Sequence, residues 1–331
     1  MLNLTVAQDG SGDYASISEA VLAVPYELEA QITIGPGVYR EKLVCEKRRI
    51  TLRGAGADAT RLVWGDGGRL PHPDGRSTHT FRSYTAFFSG EQLTVEDLTI
   101  ENDAGPGSVV GQAVAAYVDS ARAVFRRVKL LGNQDTLFCA PLPEKEREKD
   151  GFLGPRTFAP RRATAQYYQN CEIAGDIDFI FGGADALFEQ CTLRTVDNHI
   201  PHSYITAPSG PADGLGFVFW DCDFVSDCPA GTIYLGRPWR ATASRCRSPT
   251  TASAFTALPT LEFDPIKKRL LQTSLPGEAV TEGVCSSLFV YLLVMRNQNV
   301  VPLPTVLWTP KRKPCCWKMA LVMDRPRPVP C

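Results

Sequence analysis

The stretch Tyr168-Gln169-Asn170-Cys171-Glu172-Ile173 returns as Phe188-Glu189-Gln190-Cys191-Thr192-Leu193 and again as Phe219-Trp220-Asp221-Cys222-Asp223-Phe224. Each copy is an aromatic residue, two intervening positions, a cysteine, one position and a second apolar residue. The same spacing, with aliphatic side chains replacing some of these, joins Val95, Leu98 and Ile100, and then Phe125, Val128 and Leu130. Successive copies lie 30, 43, 20 and 31 residues apart. A period that is irregular, yet never shorter than one supersecondary unit, suits stacked coils in which some turns carry insertions. Each coil would bury its apolar side only against its neighbours, so the pattern predicts an all-β, single-stranded parallel β-helix.

The surroundings agree. Through residue 240 the chain holds 25 of its 27 glycines, spread between short runs rich in Val, Ile, Phe, Leu and Thr, which reads as brief strands and tight turns. The one clear helical segment is Ile17 to Val24, behind the capping region Asp13 to Ser16 and closed by Pro25. The cysteines number 11, an odd count. Because Cys171, Cys191 and Cys222 share one place in consecutive copies, they are expected to stack as a buried internal ladder rather than to form disulfides. No Cys-x-x-Cys spacing occurs, and the four histidines (His72, His79, His199 and His202) give no metal pattern beyond a weak His199/His202 pair beside Pro201, read as a surface loop.

The net charge of −1 conceals two unlike parts. Residues 1–240 carry 23 basic and 31 acidic side chains, a charge of −8, whereas 241–331 carry 12 and 5, a charge of +7, with 2 glycines and 11 prolines. The near-neutral balance argues against nucleic acid as a partner. Leu288 to Val294, the longest apolar run, is far below the roughly 20 residues of a membrane helix.

With so few histidines, acid–base chemistry falls to carboxylates. Asp135 interrupts an apolar pattern in Gly132-Asn133-Gln134-Asp135-Thr136-Leu137-Phe138, and Asp178 does so in Gly175-Asp176-Ile177-Asp178-Phe179-Ile180-Phe181-Gly182. A carboxylate in such company needs a partner or a raised pKa. Arg237, in Leu235-Gly236-Arg237-Pro238-Trp239, is the candidate counter-charge, and Trp239 offers a flat face to a sugar ring. From spacing alone, the two aspartates read equally as polar caps at coil corners and Trp239 as core. Asp176 also competes with Asp178, since both flank Ile177.

These motifs resemble the pectin methylesterases, carbohydrate esterases with a right-handed parallel β-helix. The resemblance begins with Val6-Ala7-Gln8-Asp9-Gly10-Ser11-Gly12-Asp13-Tyr14 and Gly35-Pro36-Gly37-Val38-Tyr39. It continues through Gly111-Gln112-Ala113-Val114-Ala115, Gln134-Asp135-Thr136 and Asp178-Phe179-Ile180-Phe181-Gly182, and ends at Leu235-Gly236-Arg237-Pro238-Trp239. It runs from about Leu4 to Arg240, so residues 1–240 are expected to form the catalytic β-helix. The insertion from Cys139 to Arg162, with its charged run Glu144 to Asp150, is similar to the longer loop of bacterial members.

The resemblance implies roles. Asp178 matches the nucleophile that attacks a galacturonate methyl ester, and Asp135 the acid that protonates methoxide and later activates water. Arg237 would orient Asp178 and hold it ionised. Gln134 and Gln112 match the amides that stabilise the oxyanion. Thr80, Gln112, Arg237 and Trp239 match substrate-binding positions. Neither cofactor nor metal is implied, and the partner would be methyl-esterified homogalacturonan or its oligomers, met by a monomer. Since adjacent strand residues face opposite ways, Gln134 and Asp135 can share a cleft only where a bulge or strand end re-aims one of them.

After Arg240 the resemblance stops. Ala241 to Cys331 lacks the repeat and ends in Arg325-Pro326-Arg327-Pro328-Val329-Pro330-Cys331, as a shifted coding frame would give; neighbouring frames that restore no strand-like repeat would argue instead for a genuine accessory tail. Two other functions stay open: a non-catalytic pectin-binding β-helix, and a pectate lyase, which would need a calcium-binding acidic cluster. The family pattern starts within five residues of Met1, leaving no room for a signal peptide as written; the expectation is a cytoplasmic protein, or a secreted one if the N-terminus is incomplete.

Overall fold

The computed structural model of the chain describes residues 1–210, 216–237, 239 and 291–293. Its strands pair in parallel throughout and form coils with three faces. Fourteen strands hydrogen-bond into one sheet, which bends to cover two faces through the long strands Ala86–Glu96 and Ala116–Arg126, and seven form the third. The stacking continues beyond 210, with Asp223–Ser226 closing the third face and Ile233–Gly236 the first.

The repeat in the sequence is a corner rather than a strand. Its third position is Asp97, Arg127, Asn170, Gln190 or Asp221, and all five have left-handed backbone with φ between 50° and 58°. Such a conformation turns the chain sharply from the second face to the third, at a cost of roughly 1–2 kcal/mol for most L-residues and less for Asn or Asp. Hydrogen bonds offset it: the corner amides of Asp97, Arg127, Asn170 and Gln190 each donate to a carbonyl of the next coil at 3.0 ± 0.2 Å. The aromatic before the corner points inward, so Phe125, Tyr168, Phe188 and Phe219 stack with centroids 5.0, 4.7 and 4.8 Å apart. Each such pair adds about 0.5–1.5 kcal/mol beyond its buried area.

The cysteine after the corner also points inward. Cys171, Cys191 and Cys222 are free thiols, nearly fully buried, and each Sγ donates to a carbonyl of the preceding coil, on Phe125, Tyr168 and Phe188. The ladder expected from the sequence is therefore present.

One helix, Ile17–Ala23, closes the N-terminal end. Ser16 Oγ accepts from the Glu19 amide at 3.2 Å, but Asp13 takes no part in the cap; it accepts instead from Thr5. The first helical amides, on Ile17 and Ser18, are taken by the carboxylate of Glu41 at 2.8 Å. His199 lies exposed, as expected of a surface loop. Of Ala241 to Cys331, only Tyr291–Leu293 is described: its backbone pairs in parallel with Phe217–Trp220. The rest of that stretch lies outside the described residues.

Candidate active site

On the first face, Leu137 pairs with Ile180. Asp135 and Asp178, each two residues earlier, therefore occupy the same place on adjacent coils, where strands run about 4.8 Å apart. Both have left-handed backbone, with φ of 66° and 50°. The pairing of Ile177–Gly182 with Ser203–Pro208 shifts register between Ile177 and Ile180, and the Asp135 amide donates to the Ile177 carbonyl at 3.0 Å. These kinks are the irregularity that a shared cleft requires, and they re-aim both carboxylates away from the pleat.

The two environments differ. Arg237 Nε and Nη2 donate to both oxygens of Asp178 at 2.6–3.1 Å, and the guanidinium carbon lies 4.4 Å from the ring centroid of Tyr204. Asp135 is 7 % exposed and accepts no hydrogen bond from a cation among the described residues. Burial, followed by the charge of Asp178, pushes the Asp135 carboxyl well above the ordinary carboxylate range. Burial also raises Asp178, against the hydrogen bonds and charge of Arg237. Burial thus leaves Asp178 above the usual range in spite of the ion pair; the ion pair keeps Asp178 below Asp135, and in a coupled pair that order decides which group holds the proton.

The backbone joins the two amide-bearing residues: the amide of Ala113, next to Gln112, donates to the Gln134 carbonyl at 2.9 Å. Gln134 packs against Gly107: a Cβ placed on that glycine would come within 2.4 Å of Gln134 Oε1. Gln112 Oε1 is less closely packed on Gly68, where an added Cβ would lie 3.2 Å from it, and the Gly68 amide donates to the Gln112 carbonyl at 2.7 Å. The same loop binds the amide of His79, and so places Thr80, which opens the single turn Thr80–Arg82. Phe81 then packs at 4.9 Å from Phe138, inside an aromatic cluster that Trp239 joins at 5.5 Å from Phe181. Trp239 is partly exposed on this cluster. Core and sugar platform are therefore not exclusive readings of that residue.

Sequence reasoning did not single out Tyr204, Gly107 or the aromatic ladder Phe87, Tyr117, Phe138 and Phe181. The ladder had a signal, since each of its members follows an inward apolar residue by one position on four successive coils. A groove of about 1240 Å³ lies at the bend between the first two faces, lined among others by Lys42, Glu46, Asp119 and Arg156. Its lining includes none of Asp135, Asp178, Gln134, Gln112, Arg237 and Trp239.

A family model described as Pectinesterase matches residues 3–142 and 160–247. The chain belongs to the pectinesterase family. The break in that match, 143–159, falls inside the charged insertion, and the match passes Arg240 by seven residues. Pectinesterase 31 of Arabidopsis thaliana is 33% identical over 244 residues, covering 71% of this chain and 68% of the relative. A pectinesterase/pectinesterase inhibitor of Prunus persica is 34% identical over 71% of this chain but only 42% of its own length. Among solved structures, a pectin methylesterase from Erwinia chrysanthemi is similar at a TM-score of 0.60 and 27% identity, covering 72% of this chain and 71% of that one. The carrot pectin methylesterase is similar at 0.58 and 29%, covering 72% and 70%. The pectinesterase fold is thus the right-handed parallel β-helix, and the family is one of carboxylic ester hydrolases.

Proposed function

We propose that this chain hydrolyses the methyl esters of polygalacturonate and releases methanol. The observation that carries the reading is the unequal pair: two carboxylates at one place on adjacent coils, only one of them joined to a cation among the described residues. A pectin methylesterase of 27% identity and TM-score 0.61 is known in complex with a hexasaccharide, which supports a pectin-type oligosaccharide as the ligand of this cleft.

In this reading Asp178, carrying the charge that Arg237 balances, attacks the ester carbonyl carbon. Electrons move onto the carbonyl oxygen, where Gln134 and Gln112 donate to it. As the tetrahedral intermediate collapses, the bond to methoxide breaks and Asp135 gives its proton to the departing oxygen. Asp178 is left acylated and Asp135 ionised. Asp135 then takes a proton from water, whose oxygen attacks the acyl carbon; the Asp178 carboxylate leaves, and the product is a free galacturonate. Thr80 and Trp239 would contact the sugar.

Methanol release from highly methylated pectin in the presence of EDTA tests the reading. An esterase releases methanol without metal, a lyase forms unsaturated product only with calcium, and a binding protein does neither. Asp178→Ala is expected to abolish release while the β-sheet spectrum stays unchanged; retained activity would remove Asp178 from the role of nucleophile.

A further inference from the structure

Asp176, the carboxylate that competes with Asp178 in sequence, is 2 % exposed and belongs to no step above. Its two oxygens are both occupied as acceptors: Oδ1 by the Ile177 amide at 2.6 Å and Oδ2 by Asn198 Nδ2 at 2.8 Å. The same Asn198 nitrogen donates to Asn133 Oδ1 at 2.7 Å. Asn133 and Asp176 stand two residues ahead of Asp135 and Asp178, and the Asp176 amide donates to the Asn133 carbonyl at 3.1 Å. One asparagine therefore clamps the two coil corners from which the reactive carboxylates emerge. Burial raises the Asp176 carboxyl, while the hydrogen bonds from Asn198 and the Ile177 amide oppose that rise; donors on both oxygens favour the ionised form.

We propose that Asp176 is a third, non-reacting anion of the site, a positioning residue that acts through its neighbours by keeping the proton on Asp135. The inference rests on the proposed division of labour between Asp135 and Asp178. The charged groups that act on Asp135 are Asp178, Arg237 and Asp176; Asp197 and His199 lie on the loop that carries Asn198, with His199 exposed to water. Arg237 is engaged by Asp178, and no cation pairs with Asp176 among the described residues, so its charge opposes ionisation of Asp135 across a site from which water is largely excluded.

Carboxyl-carbon NMR titration of the aspartates tests this without relying on turnover. The Asp135 resonance is assigned by its loss in Asp135→Asn. In Asp176→Asn, and in Asp176→Ser, whose hydroxyl can still accept from the Ile177 amide, Asp135 is expected to titrate about one pH unit lower than in the unaltered chain. Where methanol is released, both limbs of the kcat/KM–pH profile should move toward acid by a similar amount. An unmoved Asp135 titration in either folded variant overturns the proposal. Loss of the folded spectrum in both variants also overturns it, since Asp176 would then be a structural group. A chain that releases no methanol but shows the shifted titration loses the proposed function and keeps this inference.

Discussion

Arg237 reaches Asp178 from two coils away, across the intervening strand Ser203–Pro208, and forks onto both carboxylate oxygens with contacts down to 2.6 Å. Tyr204, on that intervening strand, carries the guanidinium on its ring. The cation is thus fixed on one side by planar, bidentate hydrogen bonds and on another by an aromatic face, an arrangement for which lysine is no substitute.

Replacing Arg237 by Lys or Ala should therefore do more than weaken binding. Without the fork, burial acts unopposed on Asp178, whose proton then leaves at higher pH. The acid limb of the kcat/KM–pH profile is expected to move up by about 1–3 pH units, more for Ala than for Lys. Steady-state methanol release across the pH range checks it, and an unmoved acid limb would mean that Arg237 does not govern Asp178.

Gly107→Ala tests the placement of an oxyanion donor without touching the donor. The added carbon would lie 2.4 Å from Gln134 Oε1 and 2.7 Å from Gln134 Cβ, so Gln134 must shift. A drop in kcat is expected, bounded by the about 100- to 1000-fold that loss of one such donor costs, with KM changing little. If KM rose instead with kcat intact, Gln134 would be a ground-state contact.

Asp135→Asn is expected to remove activity and raise stability at neutral pH. The folded-state pKa of Asp135 is raised above the unfolded value of 3.8, chiefly by burial. Between 3.8 and that raised value the folded protein holds a proton that the unfolded chain has released, so stability falls as pH increases through this window. The neutral amide escapes this loss. Thermal midpoints of the two proteins should coincide below about pH 3.8 and diverge above it, by about 2–4 °C for each kcal/mol; a midpoint of the variant that stays equal at pH 7 contradicts a raised Asp135.

Alkylation separates buried from accessible thiols. Cys45, Cys139, Cys171, Cys191 and Cys222 are buried, and only Cys228 is partly exposed among the described cysteines. Burial pushes the Cys45 and Cys139 thiols up to about 12. Iodoacetamide at pH 8 should label Cys228 in the native protein and reach the other five only after denaturation, as peptide mass mapping would show.

Phe188 sits between Tyr168 and Phe219 in the internal stack. Phe188→Ala should cost about 3–5 kcal/mol, because each coil is buried only by its neighbours and cannot close over the lost ring. Chemical denaturation reads this directly, and a loss under about 1 kcal/mol would show that the stack contributes little.

The sequence by itself determined the coil architecture and the roster of chemically interesting residues. A corner motif repeated five times is a one-dimensional signal, because stacked coils put equivalent positions in contact and so select the same residue types at each copy. Asp135, Asp178 and Arg237 stood out for a similar reason, as charges set within apolar strand patterns. Tertiary structure alone decided what those charges do to one another. The left-handed backbone at Asp135 and Asp178 suits aspartate, but most described aspartates of this chain lack it, so the residue type does not announce it. Arg237 meets Asp178 across 59 residues and an intervening strand, and Asn198 joins Asn133 to Asp176 across 65 and 22. The order of proton affinities follows from burial and from which carboxylate the single fork reaches, and both are properties of the folded coil stack.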